Sequence, residues 1–250
     1  PSSKTPPPPT PTRCTHRRQR QMCIRDRAET ELATQAQVDE YLPALNLPQR
    51  LDPSHPRALG SMVWPAATVS HRREIDEAMA RVPTVLRECR STFLEVFGRD
   101  PGGAMEILAT DDADASLVAS ATVATTARRV VERRRARGER IGLVTMRLFR
   151  PFPEDALRAA CSPARRIGVL DRDYAAGMGG IWAQDVRAAF QGRGDHLIQN
   201  YLLGIGGGDV TPDLIERVVD DLLGRATADA PVWADLAETW AVASDAEVTA

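Results

Sequence analysis

From Ala104 to Leu223 short apolar runs alternate with longer segments of helical composition, and that alternation constrains the fold more than any other feature of the chain. The runs at 104–110, 116–121, 141–148, 167–170 and 196–203 predict strands, and the segments 122–137, 153–160, 180–190 and 212–223 predict helices. Gly138 stops the first of these helices, while Thr211 and Pro212 supply the N-cap and first helical position of the last. Helices placed between consecutive strands imply right-handed βαβ crossovers and a mainly parallel sheet. The expected fold is α/β, a doubly wound, mainly parallel sheet over residues 99–224.

The flanks read differently. Residues 28–70 carry Pro43, Pro48, Pro53, Pro56 and Pro65, too closely spaced for a long helix, and are expected to be irregular. Residues 71–98 predict a linker helix, kinked at Pro83 and stopped by Gly98. Its stripe of Ile75, Met79, Val82, Leu86, Cys89, Phe93 and Val96 suits packing on a sheet or on a partner. The extension 225–250 holds Trp233 and Trp240, which one weak helix over 232–242 would bring to one face. Residues 1–27 hold seven basic residues against one acid, six prolines and almost no aliphatic residue, and are expected to be disordered. The stretch QMCIRDR at 21–27 resembles translated sequencing-adaptor sequence, so this segment reads as an artefact of gene assembly; a disordered tail or a functional arm is the competing reading.

Composition excludes several function classes. A net charge of -2 over 250 residues leaves no basic footprint for nucleic acid. No uncharged stretch exceeds 14 residues, and Ala115 to Ala127 is 13, too short to span a bilayer, so no membrane partner is expected. Four cysteines without any C-x-x-C pair offer neither a zinc site nor an iron–sulfur cluster, and Cys89 and Cys161 read as isolated thiols of a reducing, cytoplasmic protein.

Three loops each follow a predicted strand: 149–153 (Phe-Arg-Pro-Phe-Pro), 171–180 (Asp171-Arg172-Asp173-Tyr174 leading to Gly177, Gly179 and Gly180) and 204–209 (Gly-Ile-Gly-Gly-Gly-Asp). In a parallel sheet such loops emerge at the carboxyl edge, where open α/β folds bind ligands. The rim candidates are therefore Arg150, Asp171, Arg172, Gly206 and Asp209. Arg150, stiffened by flanking aromatic–proline pairs, suits a partner carboxylate or a ligand phosphate, or else an ion pair to Asp171 or Asp173. The glycines of 204–208 read as a tight turn. A phosphate cradle is the alternative, opposed by Asp209, Asp213 and the missing amide of Pro212. Arg128, Arg129, Arg133, Arg134, Arg135 and Arg137 read as a solvated helix face, a patch for an acidic protein or a CoA phosphate being the alternative. No catalytic residue and no metal ligand emerges from these patterns.

Taken in order, the motifs resemble a family. Leu51-Asp52-Pro53 with Pro56 and Gly60, Glu95 to Arg99, Asp111 to Asp114, Met146 to Pro153, Val169 to Tyr174 and Tyr201 to Thr211 are similar to the alpha-subunit side of pyruvate:ferredoxin oxidoreductase. The likeness runs from about Val38 to Leu223 and departs from the family at Gly208, where arginine is usual, and at Ala119-Ser120, where Gly-Ser is usual. It implies an N-terminally truncated chain: core domain II, with a transketolase C-terminal-like fold, over 99–224, preceded in 28–70 by the end of a missing amino-terminal domain. The complete enzyme would oxidatively decarboxylate a 2-oxoacid, pyruvate first among them, to acyl-CoA and reduce ferredoxin. Thiamine diphosphate and Mg would lie on a beta subunit, with the missing amino-terminal domain supplying the other half of the cofactor cleft, and the iron–sulfur clusters on cluster-bearing subunits. The resemblance thus implies a chain that is inactive alone, binds no cofactor by itself, has those subunits as partners and meets ferredoxin only indirectly. A free-standing α/β binding or assembly module without activity is the second reading.

Overall fold

The computed structural model of the chain describes residues 32–240 apart from 43, 46, 48–50, 57–59 and 61, so the tail expected to be disordered at 1–27 lies outside the described residues. These residues fall into two compact units, one of 107–145 with 154 onward, the other of 31–106 with 146–153.

The second unit is helical. α1 (Gln35–Tyr41) begins with a capping box in which the Thr34 hydroxyl accepts from the Gln37 amide and the Gln37 side chain accepts from the Thr34 amide. α2 (Pro65–Phe97) ends where Gly98 takes a left-handed φ of 66°. Tyr41 packs edge-on against Phe93 and Phe97 of α2, with ring centroids 5.5 Å apart in each case. Two expectations are corrected here. The stretch expected to be irregular contains α1, and the linker helix begins at Pro65 rather than residue 71, because Pro65 occupies the first helical turn, where its missing amide leaves no bond unmade. Pro83 lies inside the continuous helix. No residue of α2 is buried; Val69, Ile75, Val85 and Leu94 are exposed, and Met79, Val82, Leu86, Phe93 and Val96 are half-buried.

The α/β expectation is met by a six-stranded sheet. Its strands are β1 (Met105–Leu108), β2 (Ala115–Ser120), β3 (Ile141–Met146), β4 (Arg166–Asp171), β5 (Leu197–Leu202) and β6 (Val232–Trp233), in the order β1-β3-β2-β4-β5-β6. The β2–β4, β4–β5 and β5–β6 pairs are parallel, with Val169 opposite Asn200 and Asp171 opposite Leu202. α3 (Ala121–Ala136), α4 (Glu154–Cys161), α5 (Ile181–Phe190) and α6 (Pro212–Gly224) connect them. α3 and α6 pack together over Leu117, Leu143 and Tyr201, while α4 and α5 pack on each other, so alternate residues of the central strands face different helices.

Two more expectations change. The Arg128–Arg137 run is not wholly solvated: Arg134 is 7% exposed and is held by Glu139 at 2.9 Å, Asp220 at 2.7 Å and Glu216. These acids raise its pKa above the ordinary value despite burial, which by itself would lower it. The helix expected over 232–242 gives way at its start to the edge strand β6, and helix is described only from 237 to 240, where the described residues end. Val232 and Trp233 complete the ladder beside Tyr201 and Leu202, and that tertiary pairing overrides a weak local helical signal. Among the described residues no helix is long and apolar enough to cross a membrane.

Candidate functional site

In the sheet-bearing unit β2, β4 and β5 end together at one rim, and their side chains build it. β4 delivers Asp171 fully buried. Its carboxylate accepts from the Trp182 amide at 3.0 Å, the Ala183 amide at 3.1 Å and the Asn200 side-chain amide at 2.7 Å. Asp173 accepts from the Ile181 amide at 3.1 Å, and Asn200 accepts from the Gly180 amide at 2.9 Å. The first turn of α5, whose N-cap Gly180 has no side chain to offer, is thus capped entirely from neighbouring loops and strands. Gly180 is required there, since a Cβ would sit 2.0 Å from the Asp171 carboxylate.

The electrostatics follow from this packing. Burial pushes Asp171 up from 3.8 to about 7, and Asp173 beside it adds to the rise, while the Ala183 and Trp182 amides pull the other way. Because the donors of α5's first turn already face protein acceptors, this helix end offers no vacant seat to a ligand anion.

Arg172, the next residue, ties three loops into one structure. Its Nε and Nη2 donate to the Gly204 carbonyl at 3.2 and 3.1 Å, and its Nη1 donates to the Thr122 hydroxyl at 3.2 Å. Gly204 turns with a φ of 65°, and a Cβ there would meet Val210 at 2.7 Å and Arg172 at 2.9 Å. Ala121, beside Thr122, has a φ of 49°, a costly conformation for a residue other than glycine, at the sharp turn from β2 into α3. Gly206 and Asp209 lie on the same rim, both exposed. Asp235, past β6, accepts from the Ile205 amide at 3.3 Å.

Asp171, Arg172, Gly206 and Asp209 are therefore placed along one rim. Arg150 belongs to the other unit, where its guanidinium lies 4.0 Å above the Phe149 ring and donates to the Phe149 carbonyl at 2.9 Å. Sequence reasoning missed Asn200, Thr122 and Asp235. The only signal was Gln199-Asn200, two amides in the middle of an otherwise apolar strand, both fully buried. It also missed an apolar patch: Tyr174 and Trp233 lie with ring centroids 4.9 Å apart, and with Met178, Ile205 and Leu236 they remain exposed just past the carboxyl ends of β4, β5 and β6.

No cluster of three or more His, Cys, Asp or Glu side chains among the described residues is placed to hold a metal ion, and Cys161 is buried, its thiol pushed up to about 12.

Residues 113–215 match the model of pyruvate:ferredoxin oxidoreductase core domain II. Pyruvate synthase subunit PorA of Methanothermobacter thermautotrophicus is 32% identical over 189 residues, covering 76% of this chain and 48% of that one. Ketoisovalerate oxidoreductase subunit VorA of Pyrococcus abyssi is 30% identical over 187 residues, 74% of this chain and 47% of that one. The chain spans about half the length of the curated relatives it matches. Among solved structures, a 2-oxoglutarate:ferredoxin oxidoreductase from Magnetococcus marinus with 2-oxoglutarate, coenzyme A and succinyl-CoA bound aligns at a TM-score of 0.38 and 16% identity, over 57% of this chain and 23% of that one. The region that carries the rim, residues 113–215, belongs to the pyruvate:ferredoxin oxidoreductase core domain II family.

Proposed function

We propose that the chain is an assembly element of a 2-oxoacid:ferredoxin oxidoreductase, on the alpha-subunit side, with pyruvate as the first candidate substrate. The complete enzyme would decarboxylate the 2-oxoacid oxidatively, form acyl-CoA and reduce ferredoxin in the cytoplasm. Thiamine diphosphate, Mg, the iron–sulfur clusters and CoA would be held by a beta subunit and by cluster-bearing subunits. This chain would supply none of their ligands. Arg150, Asp171, Arg172, Gly206 and Asp209 would act by shaping the surface on which those parts dock.

The observation that carries this reading is the rim: loops locked to one another by Arg172, beside an exposed patch of Tyr174, Met178, Ile205, Trp233 and Leu236. A stiff polar frame around exposed apolar side chains suits a protein interface. Co-expression with a beta subunit of the same family provides the test. The two should co-purify, and Met178→Glu should abolish co-purification while the chain's own melting temperature stays put. Retention of the complex by Met178→Glu, or no complex with the unaltered chain, would leave the free-standing binding module as the better reading.

A further inference from the structure

The amino-terminal edge of the same sheet, opposite the rim, carries two hollows that meet at His196 and Ala228. One, of about 660 Å³, is lined by Arg165, Arg166, Asp195 and Arg225 among others; the other, of about 590 Å³, by Arg187, Phe190 and Ile198 among others. Each lies within the usual size of a small-molecule site.

Most of the basic side chains here have no carboxylate partner. Arg225 is satisfied, by Asp221 at 2.6 Å and Asp229 at 2.9 Å. Arg166 spends only its Nε, on the Arg225 carbonyl at 3.2 Å, and Arg187 reaches only the Ile198 carbonyl at 3.5 Å. Arg165 is exposed, and its side chain makes no hydrogen bond or ion pair among the described residues. Besides the paired Arg225, three guanidinium groups therefore border the joined hollows against one lining acid, Asp195. His196 stands at the junction with its ring fixed, Nδ1 2.8 Å from the Ala164 carbonyl and the ring edge-on to Phe190 at 4.9 Å. Nδ1 is then the donor, and Nε2 is the nitrogen left open. Guanidinium groups without carboxylate partners suit a phosphoryl group, which accepts several charge-assisted bonds at once.

We infer that this edge binds a phosphorylated small molecule, its phosphate against Arg165 and Arg166 and its less polar part toward Phe190 and Ile198. The site lies at the other end of the strands from the rim and is independent of the docking role proposed above.

Calorimetric titration of the full chain at about 50 mM salt, with pyrophosphate and with ADP as probes, tests it. Both should bind saturably, one per chain. Equal affinities would place the contact on the phosphates alone, and a tighter ADP would add the Phe190 side; either supports the site. Arg165→Glu should weaken binding at least about tenfold, and the milder Arg165→Gln should also weaken it, both with an unchanged melting temperature. Arg129→Glu, an exposed charge change on α3, should leave binding as it was. No saturable heat up to about 10 mM of either probe would overturn the inference. So would an equal loss in Arg129→Glu, or binding of an oligoglutamate peptide when neither phosphate compound binds.

Discussion

Asp171 gives the clearest single-residue consequence. Its pKa lies at about 7 against an ordinary 3.8, so between those values the native chain holds a proton that the unfolded chain has lost. That contribution to stability is full below about pH 4 and is lost as pH rises through about 7. Asp173→Asn removes the charge beside it and should flatten the decline. Urea midpoints at pH 5 and pH 7 should differ less in the variant than in the wild type. Gly180→Ala drives a methyl into the Asp171 carboxylate, at 2.0 Å, and should lower stability by about 2–3 kcal/mol, whereas a Cβ at Gly208 would meet nothing closer than 3.5 Å, so Gly208→Arg should be nearly neutral. Ala121→Gly, relieving a φ of 49°, should raise the melting temperature slightly.

At the scale of elements, α3 and α6 are joined by more than apolar contact. Arg134 is buried between them with Glu139, Asp220 and Glu216 around it. Arg134→Ala leaves these acids without their cation and should cost about 3 kcal/mol in chemical denaturation, while Arg134→Met, which refills the volume, should recover part of it. The elements themselves were largely legible, since each central strand is a buried apolar run bounded by turn residues and each helix carries a stop or cap the eye can find, as at Gly138 and Thr211. β6 was not legible: two residues carry no periodicity, and only their pairing with Tyr201 and Leu202 of β5 makes them a strand. Nor was the capping of α5, because Asn200 and Asp171 reach it from distant points in the chain. Rim membership could be inferred from strand ends alone, but the Arg172 bridges to Thr122 and Gly204 are tertiary facts.

For the molecule as a whole, the proposed role places function in docking rather than in chemistry carried by this chain. Arg150→Ala should weaken assembly or turnover of the reconstituted oxidoreductase severalfold and leave the melting of the isolated chain unchanged. Normal assembly and turnover would remove Arg150 from the functional residues.

Gln199 sits on a strand that β6 covers only at Tyr201 and Leu202. Its side-chain amide accepts from the Asp229 amide at 2.9 Å and donates to the Ala230 carbonyl at 3.1 Å, as a neighbouring strand's backbone would. One side chain thereby holds the segment after α6 along a border that would otherwise recruit strands from other molecules. Gln199→Leu, or a chain cut after Gly224, would present that border bare, and the first symptom would be slow self-association at high protein concentration rather than unfolding.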